Sequence, residues 1–424
     1  MKNILIVQVY NANKGNASVI TAMLDGIREV PDVSVSLTAF DPEKAVQDYC
    51  VPACERLCDI RRIVHSKGLR KIAALVCEAA FIMYFPIWWL GTRLFIPMPL
   101  GKRRRAVVRF YEDADIAVLP DGHSFTSLNG LFGNLSHLIG MYTAIALRKK
   151  TMIYGQTLGP FYGVKGRIEE FLFKRLLKRV DVVTVRDQLS MDTYGPFCSK
   201  IYKTAEIVFT LKNPSLSAEV SGFLSQVKKS GRRILTVTIH HLYYRYFFTR
   251  EKYVELMADC LRNSVLKYDL SLVMVPMEDA MRNNGDRPMI YEILNKAALP
   301  RDRFFVPEME ISPEETATLI AESDYFVGTK THSVVYGLKG AVPMIGLAYQ
   351  NKTREFMQMF DIGNYAIDLG KLTLSEFGAL FDRLVSESSE IRANMKQRSV
   401  SVCRLASKNN EYLMECLNFS QKLA

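Results

Sequence analysis

The stretch from Tyr325 to Met357, YFVGTKTHSVVYGLKGAVPMIGLAYQNKTREFM, constrains the fold most. It passes from an apolar strand through a polar turn into an apolar helix, then into a second strand and a second polar turn. That is the pattern of a parallel βαβ unit. Phe326 and Val327 read as the end of a strand, Gly328 as the turn, and Lys330, Thr331, His332 and Ser333 as the loop and first helical turn. The helix is expected to end near Gly340, Pro343 to Leu347 to form the next strand, and Tyr349, Gln350, Asn351 and Lys352 to follow it. A cation, an imidazole, two hydroxyls and free helical N–H groups suit an anionic ligand. The C-terminal edge of an open α/β sheet is where such folds bind ligands.

Short β-rich runs alternate with helical segments along the rest of the chain. Strands are expected at 4–9, 33–39, 116–119, 151–154, 182–185 and 201–202, then at 234–239, 271–276, 304–305, 325–327 and 343–347. Asn213-Pro214-Ser215 interrupts both patterns, as a linker does. The expected organisation is an N-terminal Rossmann-like lobe over 1–212, a C-terminal Rossmann-like lobe with a donor-anion site over 213–395, and a helical segment over 396–424. The last of these is read as packing back across both halves.

The Gly328-Thr329-Lys330-Thr331-His332-Ser333 turn, Gly340-Ala341-Val342-Pro343 and Ala348-Tyr349-Gln350-Asn351-Lys352 stand in the order and spacing of a known signature. They resemble the polysaccharide pyruvyl transferase family, whose C-terminal pattern runs G-T-R-x-H-S, an apolar helix with G-V-P, and a strand ending A-Y-x-x-K. The opening turn with Asn11, Asn13, Lys14, Gly15, Asn16 and Ala17 is similar to that family's first loop. Gly155-Gln156-Thr157-Leu158-Gly159-Pro160-Phe161 and the strand ending Arg186-Asp187-Gln188-Leu189-Ser190 extend the likeness over most of the chain. Three positions depart from the pattern: Lys330 replaces the usual arginine, exchanging a planar fork for a point charge; Glu206 replaces an aspartate; and Asp121-Gly122-His123-Ser124 replaces a glycine-rich turn. The expected fold is α/β, two Rossmann-like lobes with a central cleft, glycosyltransferase-B-like.

The resemblance implies transfer of the pyruvyl group of phosphoenolpyruvate to two hydroxyls of a sugar, in a polysaccharide or its lipid-linked precursor, giving a cyclic ketal and phosphate. Such chemistry asks for an acid/base and for cations that hold carboxylate and phosphate. His332 is the candidate acid/base because imidazole titrates near neutrality. Lys330 is the candidate catalytic cation, and Lys352, Arg186, Ser333, Tyr349 and Asp286 are expected on the donor side. Arg186 beside Asp187 equally fits a structural ion pair. Asn13, Gly15, Asn16, His123 and Gln156 are the acceptor candidates; the first three equally fit the shaping of a turn, and His123 with Asp121 and Ser124 fits a helix cap. His240 and His241, with Tyr243 to Phe248 after them, fit either sugar stacking or aromatic packing. Glu278, Asp279 and Arg287 fit a solvated loop. A glycosyltransferase using a nucleotide-sugar donor on the same fold, or a non-catalytic glycan-binding relative, stays open, because fold does not fix the donor.

With 55 Lys and Arg against 44 Asp and Glu, the formal charge of +11 favours anionic partners. No nucleic-acid-binding motif accompanies it, so no nucleic-acid partner is expected. Neither metal nor cofactor is expected. The eight cysteines are sparse and irregular, as in a reducing compartment, and Cys50, Cys54 and Cys58, with His65 beyond, read as a helix stripe more readily than as ligands. Met1-Lys2-Asn3 leads into a core strand rather than a secretory leader.

Residues 72–100 are the compositional anomaly, carrying both tryptophans, Trp88 and Trp89, with only Glu78 and Arg93 charged. Basic residues flank the segment on both sides, and a single crossing would separate the strand at 4–9 from its expected partners at 116–119 and 151–154. The segment is therefore expected to lie in the membrane interface as a hairpin or helix broken at Pro86, with its aromatics at headgroup depth and its basic flanks against anionic lipid; a buried internal helix or partner surface is the alternative. Localisation follows as cytoplasmic, peripheral or monotopic at the inner membrane face.

Overall fold

The computed structural model describes residues 1–10, 14–58, 63, 66–120, 122–278 and 285–417. Asn11, Asn13, His65, Asp121 and Asp279 lie outside the described residues. Packing divides the chain into two compact units, one of Met1–Asn11, Val19–Thr210 and Arg404–Ala424, the other of Ala12–Ser18 and Leu211–Cys403. The first turn of the helix Lys14–Arg28 thus groups with the second unit.

The first unit is built on β1 (Lys2–Val9), β2 (Val33–Ala39), β3 (Ala53–Glu55), β4 (Ile116–Pro120), β5 (Lys150–Gln156), β6 (Val182–Val185) and β7 (Ile201–Lys203). These described strands form one parallel sheet in the order β3-β2-β1-β4-β5-β6-β7. Ile4, Leu5, Ile6 and Val7 are all fully buried, as a parallel strand covered on both faces requires. The second unit carries β8 (Arg233–Thr238), β9 (Leu270–Met274), β10 (Phe304–Phe305), β11 (Tyr325–Gly328), β12 (Met344–Ala348) and β13 (Ala366–Asp368). Its described strands are also parallel, in the order β10-β9-β8-β11-β12-β13. In both sheets the chain adds strands on one side of the first strand and then on the other. Each sheet therefore has a switch point, at β1/β4 and at β8/β11, where neighbouring connections leave a crevice.

Two edge strands, β3 and β13, were absent from the expected pattern. Each is three residues long with at most one β-branched or aromatic residue, whereas β7 and β10, no longer than these, carry Ile201-Tyr202 and Phe304-Phe305. Cys54 sits in β3, while Cys50 takes the left-handed cap position after the helix Pro42–Tyr49. The expected helix stripe of Cys50, Cys54 and Cys58 therefore does not exist.

The apolar segment forms one helix, Gly68–Arg93, with Pro86 inside it rather than at a break. One face packs into the core of the first unit through Phe81, Phe85 and Trp88, with Phe85 stacked on Trp88 at 5.7 Å. Burial of each such ring is worth roughly 1.5–3 kcal/mol. Glu78, fully buried, is paired with Arg103 at 2.8 Å and Arg104 at 3.0 Å, and Arg104 also covers the Phe81 ring. This corrects two expectations: Trp88 is a core residue, and Arg103 and Arg104 neutralise Glu78 instead of facing lipid. The opposite face leaves Ile72, Val76, Met83, Ile87 and Leu90 exposed. By length and composition the helix is apolar enough to cross a membrane, but 28% of its most apolar window is buried in the protein. It connects β3 to β4 within one sheet, so a single crossing would tear that sheet apart.

The C-terminal segment is one helix, Leu374–Cys416. Within the second unit Arg392 donates to the carbonyls of Ser323 and Asp324. Its last turns belong to the first unit, where Asn410 accepts from the Tyr154 hydroxyl at 2.7 Å and Asn409 donates to the Ala205 carbonyl at 2.9 Å.

Candidate active site

The second unit concentrates its polar side chains at the C-terminal ends of β8, β9, β11 and β12, on both sides of the β8/β11 switch point. His240 and His241 follow β8, Met277 and Glu278 follow β9, and Lys330 follows β11 as the N-terminal flank of the helix Thr331–Lys339. Tyr349 and Gln350 follow β12. The apolar strand residues hold these ends rigidly, since Leu235, Val237, Leu272, Val273, Phe326, Val327, Ile345 and Leu347 are all fully buried.

Asp286 organises the cluster. Its fully buried carboxylate accepts from the His241 Nδ1–H at 2.8 Å and, more weakly, from the His241 amide at 3.3 Å. Its other oxygen accepts from the amides of Met277 and Glu278 at 2.9 and 3.0 Å and from Lys330 Nζ at 2.9 Å. Burial alone would raise the carboxyl's pKa, but the bond from His241 and the Lys330 ammonium outweigh it and hold Asp286 below its ordinary value. Lys330 also meets Glu278 at 3.1 Å. Two carboxylates thus bracket the ammonium that the motif alone suggested as an open anion clamp.

Beside this network stands an aromatic wall. Tyr243 stacks on Tyr349 at 4.3 Å, and His240 meets both edge-on. Burial, reinforced by Lys330, pushes His240 down to about 3. The ring is therefore neutral at physiological pH, consistent with its Nδ1 accepting from the Leu242 amide at 3.2 Å. Gln350 donates to the hydroxyls of Thr331 and Tyr349 at 3.1 and 3.2 Å, fixing the turn after β12.

His332 lies in the first turn of its helix against Gly15. A Cβ at Gly15 would come within 2.3 Å of His332 Nδ1, so glycine there provides the close approach. Lys14 anchors the same turn: its Nζ donates to the Pro276 carbonyl at 2.9 Å, and Tyr336 donates to the Lys14 carbonyl at 3.1 Å. Gly15→Ala should push the imidazole from its place. The expected result is a loss of turnover larger than the destabilisation of about 1–3 kcal/mol that overpacking brings, read by comparing kcat with the thermal midpoint.

Not every expected site residue retains a free functional group. Ser333 is fully buried, its hydroxyl donating to the Lys330 carbonyl and sharing a hydrogen bond with Thr238 at 2.7 Å. It shapes the turn and is withdrawn as a donor contact. In the first unit Gln156 is fully buried and donates to the Leu119 carbonyl and the Ser124 hydroxyl, both at 3.1 Å. Its amide braces the end of β4, which removes it from the acceptor contacts. Arg186 pairs with Glu206 and donates to the Gly122 carbonyl and to Thr157 Oγ1. A Cβ at Gly122 would strike its guanidinium, so Gly122 and Arg186 form one buried brace and Arg186 is structural. His123 donates Nε2–H to the Gly159 carbonyl, and burial lowers its pKa. Lys352 lies in the first turn of the helix Asn351–Met359, and Asn16 in that of Lys14–Arg28.

The second unit therefore brings together Lys330, His332, Asp286 and Tyr349, with Gly15 as support. Sequence reasoning missed the partnership of His241 with Asp286, of Glu278 with Lys330, and the anchoring role of Lys14. The available signal was positional: a histidine pair and an acid directly after neighbouring strands.

Two parallel α/β units with polar residues gathered at strand ends define a GT-B-like fold, and solved structures agree. The chain overlays the S. aureus MnaA–UDP complex with a TM-score of 0.61 at 12% identity, covering 100% of this chain and 99% of that one. It overlays the Neisseria meningitidis UDP-GlcNAc 2-epimerase bound to UDP-GlcNAc at 0.59 and 11% identity, covering 99% and 100%. A glycosyltransferase from Rickettsia africae overlays at 0.55 and 10% identity, covering 99% of each chain. No curated protein sequence matches the chain. The family model for polysaccharide pyruvyl transferase matches residues 13–351, and the chain belongs to that family of transferases.

Proposed function

We propose that this transferase moves the pyruvyl group of phosphoenolpyruvate onto two hydroxyls of one sugar in a cell-surface or exopolysaccharide, or in its lipid-linked precursor. The observation that carries the reading is the His241–Asp286–Lys330–Glu278 array beside His332 at the β8/β11 switch point, in a member of this family. The first sugar hydroxyl adds to C2 of the donor, giving up its proton to a base as a proton is delivered to the methylene carbon. The C2–O bond to phosphate then breaks, and the second hydroxyl closes the ketal, its proton leaving with phosphate. His332 exchanges the proton at the methylene carbon. Lys330, held by Asp286, stabilises charge on the departing phosphate. Lys352 and the N–H groups at the start of the helix Thr331–Lys339, which has no side-chain cap, attract the donor's anionic oxygens. The Tyr243–Tyr349 wall offers an apolar face to a sugar ring. The protein works at the cytoplasmic face of the membrane, a reading supported by the exposed apolar side of the helix Gly68–Arg93.

Incubation with phosphoenolpyruvate and a glycan extract from the source cell should give one pyruvyl ketal per acceptor by mass spectrometry, with stoichiometric phosphate release. In parallel, phosphoenolpyruvate should raise the thermal midpoint, as a ligand specific to the folded state does. Stabilisation by UDP and not by phosphoenolpyruvate, without phosphate release, would move the protein to nucleotide-sugar transfer.

A further inference from the structure

A groove of about 940 Å³ opens in the first unit between the helices Gly68–Arg93, Gly130–Ala146 and Gly163–Leu177. Phe85, Pro86, Trp89, Leu138, Tyr142 and Leu172 line it. Four cations, Lys174, Arg175, Lys178 and Arg179, line it as well, all from the end of the helix Gly163–Leu177 and the turn after it. Glu170 neutralises Lys174 at 2.9 Å. Among the described residues, no carboxylate pairs with Arg175, Lys178 or Arg179. The Trp89 ring carries the guanidinium groups of Arg179 at 5.5 Å and Arg93 at 6.0 Å from its centroid. Its indole N–H is buried with no acceptor among the described residues, and indole can only donate. Next to the groove, Met83, Ile87 and Leu90 on the first helix and Ile168 and Phe171 on the third are exposed.

We infer that this groove binds a single membrane lipid carrying a phosphate on a long hydrocarbon chain, with the chain along the aromatic and leucine walls and the phosphate on Arg175, Lys178 and Arg179. The charge pattern selects that occupant. A second copy of this chain, of formal charge +11, would bring net like charge to the cations, and a peptide would need backbone partners that the apolar walls do not supply. An amphiphile with one apolar chain and one anionic head satisfies the walls, the cations and the indole donor together. The exposed apolar residues beside the groove allow it to draw the lipid from a bilayer surface. Identifying this lipid as the carrier of the acceptor glycan rests on the pyruvyl-transfer reading; the binding itself does not.

The test uses the full chain with no donor present and follows Trp fluorescence, since both tryptophans lie on the helix that borders the groove. Farnesyl phosphate should bind saturably and at least ten-fold more tightly than farnesol or inorganic phosphate. R175E/K178E, two exposed positions, should abolish the preference for the phosphate over the alcohol, and Leu138→Trp should weaken both by narrowing the groove; circular dichroism confirms that each variant is folded. Equal binding of farnesol and farnesyl phosphate would overturn the inference. So would binding indifferent to these variants, or attachment to phosphatidylglycerol vesicles without saturable farnesyl phosphate binding. Ketal formation without lipid binding would sink the groove and spare the proposed reaction, whereas lipid binding without ketal formation would do the reverse.

Discussion

Replacing His332 with alanine lowers turnover by about two to four orders of magnitude, the scale for removal of a positioned acid or base, with a much smaller change in donor binding. His332→Asn sharpens the result, because an amide keeps a hydrogen bond but cannot shuttle a proton at neutral pH. Steady-state kinetics with phosphoenolpyruvate and acceptor, alongside donor affinity by calorimetry, separates binding from chemistry. An Asn variant as fast as the parent would make the imidazole a positioning group. The proton transfer would then move to Glu278 or His241, the titratable groups of the network beside it.

Asp286→Ala should be the most destabilising single change at the site. It would leave Lys330 and His241 beside a buried void and orphan the amides of Met277 and Glu278. Breaking a buried charge pair by removing one partner costs about 3–5 kcal/mol, and turnover should fall with it. The pH dependence has a definite sign. The carboxyl's pKa is lower in the folded protein than in the unfolded chain, so its contribution is fully present above the unfolded value of about 3.9. It fades as pH falls through the folded value. Urea melts of parent and variant should therefore differ most near neutrality and converge in acid. A constant difference down to low pH would mean that the carboxylate's charge is not what holds the cluster.

Much of the fold was readable because parallel strands buried on both faces write themselves as apolar runs. The expected strand at 4–9 corresponds to β1 at Lys2–Val9, and the one at 343–347 to β12 at Met344–Ala348. The edge strands β3 and β13, Ala53-Cys54-Glu55 and Ala366-Ile367-Asp368, left no such run. The apolar stretch was visible as an anomaly, but which of its sides faces protein was not. Trp88 and Trp89 are adjacent in sequence, yet one is buried in the core and the other lines a groove. Helical phase decides that, and an apolar helix with weak amphipathic contrast does not announce its phase.

The site divides in the same way. By itself the sequence determined which residues stand at strand ends: Lys330, His332 and Tyr349 after their strands, Arg186 after β6, Gln156 at the end of β5. Strand ends are set by local apolar runs and turn residues, and those are written consecutively. Only the tertiary structure decided what each side chain does there. Asp286 lies 45 residues from His241 and 44 from Lys330 in sequence, and its contacts with both exist because β8 sits between β9 and β11. Arg186 and Gln156 proved to be braces because Glu206, Gly122 and Ser124 from other loops and Leu119 from β4 arrive at hydrogen-bonding distance. A charged or amide group takes its role from its nearest partners, and in a parallel sheet those partners come from neighbouring strands distant along the chain.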